Sequence, residues 1–200
     1  MSRRLSYTAL GLIFALGAAS CAQPGVTTQA EGAAATMVAA QEPMAEVAAR
    51  VDNFRLVSAD GRAHELIRLK DAPAVVMVMH AAGSAVTAKV APELEALKAE
   101  WEPKGVEFMM VNSNPHDTRE MILADVAKNH ISVPVLQDNL QLVGGQIGAS
   151  RVGQAFVIDP KTWRIVYSGP LSAEPLAALT SGAAVTVASL PVEGQSISFP

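Results

Sequence analysis

The first side chains in this sequence that could do chemistry are a serine and a histidine four residues apart. His80 ends an apolar run that begins at Ala74, and Ser84 follows after three small residues. A serine hydroxyl becomes a nucleophile only when a base lies within reach of it. His80 is the only base near Ser84 along the chain, and no Gly-x-Ser-x-Gly elbow surrounds the serine. We therefore interpret Ser84 as the N-cap of a helix.

The histidines and methionines give little support for a metal site. The histidines are scattered singly, without a ligand spacing such as His-x-x-x-His, at His64, His80, His116 and His130. Thioether sulfur favours Cu(I), but methionine in an apolar strand usually fills the core, as we expect for Met77, Met79, Met109 and Met110. The glycines at 144, 145 and 148 do not form a phosphate loop, because no strand leads into them. The sequence predicts neither a metal nor a cofactor.

The elements around Ser84 are predicted to be a buried strand, a short loop and a kinked helix. The run 74–80 has the length and composition of a strand covered on both faces. The helix from Ser84 to about Trp101 has apolar residues at three- and four-residue spacing, and Pro92 should kink it. Its apolar positions are Val86, Val90, Leu94 and Leu97.

The remaining segments alternate between strands and helices. Strands are expected at 54–57, 64–66, 105–112, 155–159 and 163–167, and an edge-like strand at 133–136 because Pro134 cannot donate to a ladder. Helices are expected at 140–147, at 174–181 and from Asp117 to His130, the last with Met121, Ala124, Val126 and Ala127 inward. This order predicts an α/β fold with a mixed central sheet and helices on both faces.

Composition and charge argue against nucleic-acid binding and exclude a disulfide within the chain. The chain of 200 residues carries a net charge of -4 and no basic cluster, which argues against nucleic-acid binding. Half of its residues are hydrophobic, which is enough for a core without disulfide bonds. Cys21 is the single cysteine, so no disulfide can form within one chain.

The N-terminal part indicates export and lipid attachment. Residues 1–20 have a charged start, a short apolar core and a run of small residues before Cys21, which is typical of a signal peptide. The small residues resemble a bacterial lipobox, in which the cysteine is lipidated, although Ala18 stands where that motif usually has leucine. An ordinary signal peptide with a chance cysteine is the alternative. Residues 21–49 are expected to form a lipidated N-terminus and flexible tether. Ala22, rather than aspartate, follows the cysteine, which in bacterial lipoproteins favours the outer membrane, and we expect the domain to face the periplasm.

From Val51 to about Gly169 the sequence resembles the redoxin branch of the thioredoxin superfamily, which includes AhpC/TSA-type peroxiredoxins and exported thiol-disulfide oxidoreductases. The motifs that carry the resemblance are Phe54-Arg-Leu with Asp60-Gly61, Val90-Ala-Pro-Glu-Leu94, Gly105-Val-Glu-Phe108, Val111-Asn-Ser-Asn114, Val133-Pro-Val-Leu-Gln-Asp138 and Phe156-Val-Ile-Asp159. The resemblance implies a thioredoxin-like three-layer sandwich over residues 50–182, followed by an irregular tail at 183–200.

The positions that the family uses for redox chemistry are replaced. Counting back from the Pro-Glu-Leu motif, Ser84 stands at the reactive cysteine and Ala85 at the proline that follows it. Gly153, after Val152, stands where the family has a cis-proline. A serine hydroxyl does not ionise at neutral pH and cannot be oxidised to a sulfenic acid. The former active-site groove comprises His80, Ala81, Ala82, Gly83, Ser84, Ala85, Val86, Val152, Gly153 and Gln154.

These observations predict an envelope protein that keeps the scaffold and has lost thiol chemistry. We expect its groove to bind a partner peptide or a small ligand, and the expected partner is an envelope protein or peptide. A redoxin-type oxidoreductase that takes its thiols from a partner chain is the enzymatic alternative. A purely structural envelope lipoprotein, with no specific partner, is a third.

Overall fold

The computed structural model describes residues 49–183, 185–186 and 188–200. The predicted signal peptide, Cys21 and nearly all of the tether lie outside these residues. The strands are β1 Arg55–Ser58, β2 Ala63–Glu65, β3 Val75–His80, β4 Glu107–Asn112, β5 Val135–Gln137, β6 Ala155–Asp159, β7 Arg164–Gly169 and β8 Ala188–Ser189. The α-helices are α1 Ala85–Trp101, α2 Arg119–Lys128, α3 Leu142–Gln146 and α4 Glu174–Ser181, with single 3-10 turns at Leu66–Leu69 and Glu102–Lys104.

The strands form one mixed sheet in the order β2-β1-β5-β4-β3-β6-β7-β8. The pairs β3–β4, β4–β5 and β7–β8 are parallel, and the other pairs are antiparallel. A helix joins the strands of each parallel pair, α1 between β3 and β4, α2 between β4 and β5 and α4 between β7 and β8, as crossover connections require. The α/β fold with a mixed sheet is therefore confirmed.

The six residues of β3 are all buried, because both faces of the sheet are covered. Successive side chains of a strand point to opposite faces. Val76 and Val78 belong to a core cluster with residues of α1, α2 and α4, among them Leu94, Ile122 and Leu176. Val75, Met77 and Met79 belong to a second cluster with α3 and with the half-buried Ile197 and Phe199 of the tail. Met77 and Met79 are fully buried, as expected for core methionines.

The structure corrects the sequence prediction at α2, at β5 and at Trp163. In α2 the buried residues are Ile122 and Asp125, whereas Met121 is 46% exposed and Ala124 and Ala127 are also exposed. Asp125 is turned inward because it is hydrogen-bonded there, and the apolar pattern alone cannot show this. β5 is an interior strand between β1 and β4, since its pairing begins after Pro134. Trp163 lies in the turn before β7, with a positive φ of 56°.

Residues after α4, for which the sequence predicts no regular element, include two ordered features. β8 pairs with β7 at Tyr167 and Ser168. Farther on, the segment 194–199 (the tail strand below) runs antiparallel to residues 150–152, through the bridge between Arg151 and Ser196. Across the described part of the chain, no helix is both long and apolar enough to cross a bilayer.

Candidate functional site

Ser84 lies between the end of β3 and the start of α1, and it caps that helix. Its backbone is extended (φ -73°, ψ 132°) and its Oγ accepts a hydrogen bond from the Val86 amide at 3.2 Å. This bond satisfies one of the free amides at a helix N-terminus. The side chain is mostly buried, with 8% of the residue exposed. The N-cap interpretation of Ser84 is confirmed.

His80, the base nearest to Ser84 in sequence, is committed to other partners. Its Nε2 lies 3.1 Å from Asp125 Oδ2, and its Nδ1 lies 3.0 Å from Asn112 Nδ2. The residue is only 1% exposed. Because both ring nitrogens are engaged, neither can take a proton from Ser84, and the arrangement does not support a serine nucleophile.

A directional network of hydrogen bonds fixes the protonation state of His80. Asn112 Nδ2 donates to Asp117 Oδ2 at 2.7 Å, and Asn112 Oδ1 accepts from the Asn114 amide at 3.0 Å. The orientation of the Asn112 amide is thereby set, so its second N–H points at His80 Nδ1, which must accept. The proton of the neutral imidazole then resides on Nε2 and is donated to Asp125.

The same two carboxylates hold the loop between β3 and α1. The Ala82 amide donates to Asp117 Oδ2 at 2.7 Å, and the Gly83 amide donates to Asp125 Oδ1 at 2.9 Å. On the other side of the loop, Thr87 Oγ1 donates to the Ala81 carbonyl at 2.9 Å. The loop that carries redox chemistry in the resembled proteins is therefore fixed here by buried side chains from α1, α2 and the segment between β4 and α2.

Sequence reasoning missed three members of this network. The helix was predicted to begin at Asp117, but Thr118 is the N-cap of α2 and Asp117 faces the loop. Asn112 lies within a motif that carries the family resemblance, and it was given no role. Asp125 interrupts the apolar residues of a helix with an acid, which is the one signal that could have indicated a buried polar contact.

Burial lowers the pKa of His80 below its ordinary value of about 6.5, and this effect outweighs the opposing attraction of Asp125 and Asp117. Below about pH 6.5, His80 is therefore protonated to a greater extent in the unfolded chain than in the folded chain. We therefore expect the free energy of unfolding to fall as the pH drops from about 6.5 toward the lower folded-state pKa. Chemical denaturation at a series of pH values between about 5 and 7 measures the slope of the free energy of unfolding against pH.

His80→Asn should make that slope shallower, because the titrating ring is gone. His130→Asn is the matched control, since His130 is an exposed histidine with a positive φ that asparagine tolerates. An equal slope in wild type and His80→Asn would contradict the assignment of a buried neutral imidazole.

The second part of the predicted groove is a tight turn packed on α1. Gly153 has φ +81°, and its amide donates to the Met79 carbonyl at 2.8 Å. A Cβ at this position would lie 2.8 Å from Val86 Cγ1. Gln154 Oε1 accepts from the Ser150 amide at 2.9 Å, which closes the turn. Val152, Gly153 and Gln154 are all buried.

The structure brings the two parts of the predicted groove together at Val86, and the tail strand lies against it. A Cβ on Gly194 would lie 3.2 Å from Val86 Cγ2. Gly83 and Ala85 remain exposed, and Ala82 and Val86 are half-buried. His80, Ala81 and Ser84 are buried beneath them. The accessible surface of the groove is therefore the start of α1 and the outer side of the tail strand.

The site presents a capped helix start, a buried imidazole and hydrogen-bonded main-chain groups. The described residues contain no thiol, and among them no group of three His, Cys, Asp or Glu side chains could hold a metal ion. Two cavities, of about 250 and 550 Å³, lie elsewhere and are lined partly by Phe54 and its neighbours, not by Ser84.

A cysteine at position 84 would test whether the helix start still favours an anion. Ser84→Cys, made with Cys21→Ala, should have a thiol pKa below the free value of about 8.5, because the Val86 amide and the helix N-terminus stabilise the thiolate. The dependence of alkylation rate on pH measures this pKa.

Asn139→Cys, at an exposed loop position, supplies the reference thiol for that experiment. A Ser84→Cys pKa at or above that of Asn139→Cys would contradict the placement of residue 84 at an electrostatically active helix start.

Comparison with solved structures shows the fold alone, since identities are below 25%. A hypothetical protein from Sinorhizobium meliloti 1021 matches with a TM-score of 0.67 at 23% identity, covering 76% of this chain and 93% of its own. Peroxidoxin BcpB from Mycobacterium tuberculosis matches with a TM-score of 0.52 at 19% identity, covering 68% and 91%. A candidate thiol:disulfide interchange protein, DsbE, from Chlorobium tepidum gives 0.54 at 16%, covering 60% and 82%.

The family assignment comes from the sequence. No curated protein sequence matches this chain. The model of the AhpC/TSA family matches residues 47–167, which is more than half of the chain and spans β1 to most of β7. The match includes the capped helix α1, the His80 network and the turn at Gly153. The chain belongs to the AhpC/TSA family.

Proposed function

We propose that this chain is an exported, lipid-anchored member of the family that has lost thiol redox chemistry and acts as a binding or assembly module in the cell envelope. The observation that carries the proposal is Ser84. Its hydroxyl caps α1 at the position where the resembled proteins carry their reactive cysteine. The only cysteine of the chain is Cys21, in the predicted anchor.

The scaffold around this position supports binding rather than turnover. The His80 network is fully hydrogen-bonded, and the loop is held by two carboxylates. A buried polar network of this kind rigidifies a site when every member is satisfied. Such a site keeps its shape without a reactive group in it, as a binding surface requires.

An activity assay on the purified protein tests the loss of redox chemistry. We expect neither insulin reduction nor peroxide consumption above background in the presence of dithiothreitol alone. A cysteine-containing member of the family, assayed under the same conditions, is the positive control. Turnover by this chain without an added thiol protein would overturn the proposal.

The alternative is a redoxin that takes its thiols from a partner chain. Solved proteins of similar fold include a peroxidoxin and a candidate thiol:disulfide interchange protein, which favours it as the second candidate. It predicts that an envelope extract restores turnover only when this chain is present. Crosslinking and pull-down from intact cells would identify the partner in either case. Failure to recover any specific partner would favour the structural-lipoprotein alternative.

The anchor is tested at Cys21. Cys21→Ala should leave the protein unprocessed or release it from the membrane into the soluble periplasmic fraction, because acyl chains on the cysteine supply the membrane affinity. Ser20→Ala keeps a small residue before the cysteine and should fractionate like wild type. Cell fractionation with blotting measures both variants. Unchanged membrane association and cleavage of Cys21→Ala would contradict lipid attachment.

A further inference from the structure

The tail strand is bound in the manner of an added β-strand. The Val152 amide donates to the Gln195 carbonyl at 2.9 Å, and the Ile197 amide donates to the Ser150 carbonyl at 2.9 Å. Arg151 and Ser196 form the antiparallel bridge between these bonds. Residues 150–152 thus present a short edge whose main-chain groups recognise an extended segment whatever its sequence.

Side chains of the domain hold further main-chain atoms of the same segment. Arg151 Nη1 donates to the Gly194 carbonyl at 3.2 Å and to the Ser196 hydroxyl. Gln141 Nε2 donates to the Ser198 carbonyl at 2.7 Å, and it also bonds to the Ser113 carbonyl at 2.8 Å. These contacts extend the recognition of an extended backbone from residue 194 to residue 198.

The domain is also shaped to accept particular side chains of the tail strand. Ile197 and Phe199 are half-buried against the second core cluster, whereas Ser196 and Ser198 are exposed. A Cβ on Gly144 would lie 2.9 Å from the Phe199 ring, so α3 leaves room for an aromatic residue there. Gly194, with φ +136°, passes Val86 where a larger residue would press on it. The site therefore fits a small residue, then an aliphatic residue three positions later and an aromatic residue two positions after that.

We propose that the tail strand occupies, within its own chain, a peptide-binding site, and that a partner protein binds there by presenting an extended segment of the same pattern. This inference rests on the proposed binding function and names its ligand class. Gln195, Ser196 and Ser198 are exposed. One side of the segment therefore faces solvent, and solvent-facing segments at the surface are among those that open locally. A tethered segment acts at an effective concentration of the order of millimolar, so it masks the site from weak competitors.

The probe for this proposal is a fluorescent peptide with the sequence of residues 194–200, Gly-Gln-Ser-Ile-Ser-Phe-Pro. Its binding to the full chain is followed by fluorescence anisotropy. The double substitution Ile197→Ser and Phe199→Ser in the protein should free the site. We expect that variant to bind the peptide at least tenfold more tightly than wild type. A peptide with serine in place of isoleucine and phenylalanine should not bind it.

Two further variants keep the test decisive if the double variant folds poorly. Gly194→Ala loosens the tail strand at Val86 without touching the core cluster, and it should also increase peptide binding. Glu193→Ala changes an exposed residue just outside the paired segment and should bind the peptide as wild type does. Hydrogen exchange at the Val152 amide reports release of the tail strand in each variant, independently of the probe.

Release of the tail strand without any gain in peptide affinity would overturn the proposal. Dimerisation of the loosened variants in place of peptide binding would also overturn it, because the occupant would then be a second copy of this chain. Redox turnover in the activity assay would defeat the proposed loss of function and leave the peptide result intact. The two failures are therefore distinguishable.

Discussion

Gly153→Pro, which restores the residue that the resembled proteins carry at this turn, should lower the free energy of unfolding by about 3 kcal/mol or more rather than restore a redox site. The Gly153 amide donates to the Met79 carbonyl at 2.8 Å, and proline has no N–H to donate. The φ of +81° is also incompatible with the proline ring, which fixes φ near -65°. Urea denaturation at neutral pH measures the loss.

The steric part of this effect can be separated with alanine. Gly153→Ala places a Cβ 2.8 Å from Val86 Cγ1 in addition to its positive φ, whereas Gly148→Ala has φ +70° with nothing within 4 Å. Left-handed backbone costs about 1–2 kcal/mol, and overpacking adds about 1–3 kcal/mol. Gly153→Ala should therefore be the more damaging of the two. Equal losses, or a stable Gly153→Pro, would show that this turn has another conformation.

Asp125→Ala should be comparably destabilising, although it removes only one carboxylate. The His80 Nε2–H and the Gly83 amide both donate to Asp125, which is 5% exposed. The buried His80 donor left without an acceptor costs about 1–3 kcal/mol, and the lost bond from the more exposed Gly83 amide to a charged group costs about 1.5–3 kcal/mol, so a total of about 3 kcal/mol or more is expected. Thermal and urea denaturation of the variant test this value.

Asp125→Asn is the informative companion, because it keeps the shape and one acceptor. Asn112 already donates to His80 Nδ1, so the imidazole must keep its proton on Nε2 and needs an acceptor there. The asparagine oxygen can serve either His80 or Gly83, but not both in the wild-type manner, and an intermediate loss follows. Asp71→Ala, an exposed acid, should change stability little. If Asp125→Ala lowers the free energy of unfolding by less than about 1 kcal/mol, water has taken the place of the carboxylate as the acceptor.

The parts of the fold that were predicted correctly depend on local signals. The apolar run to His80 predicts a buried strand, Ser84 predicts a cap, and Glu174–Ser181 was predicted as a helix with the bounds that the structure has. The interior position of β5 could not be read in this way. Pro134 lacks only an N–H of its own to donate, and pairing with β4 begins at the next residue, Val135.

The parts that were missed depend on contacts between distant residues. Asp125 is buried because His80, 45 residues earlier, donates to it. The tail strand was treated as irregular because its pairing partner, Arg151, lies 45 residues before Ser196. Neither residue carries a periodicity that shows its partner. The candidate groove was located from the family motif, but its occupation by the tail strand could be seen only in three dimensions.

The two edge strands of the eight-stranded sheet, β2 and β8, affect how readily copies of the protein aggregate. An edge strand presents unpaired amides and carbonyls to any neighbouring chain, and long exposed edges promote aggregation. Here β2 has three residues and β8 has two. The outer side of β7 is also covered near its start, where the Ile165 amide donates to the Ala49 carbonyl at 3.0 Å. A protein held at high density on a two-dimensional surface would collide with its own copies often. Short, covered edges offer few free amides and carbonyls, so the sheets of two copies have little to pair through.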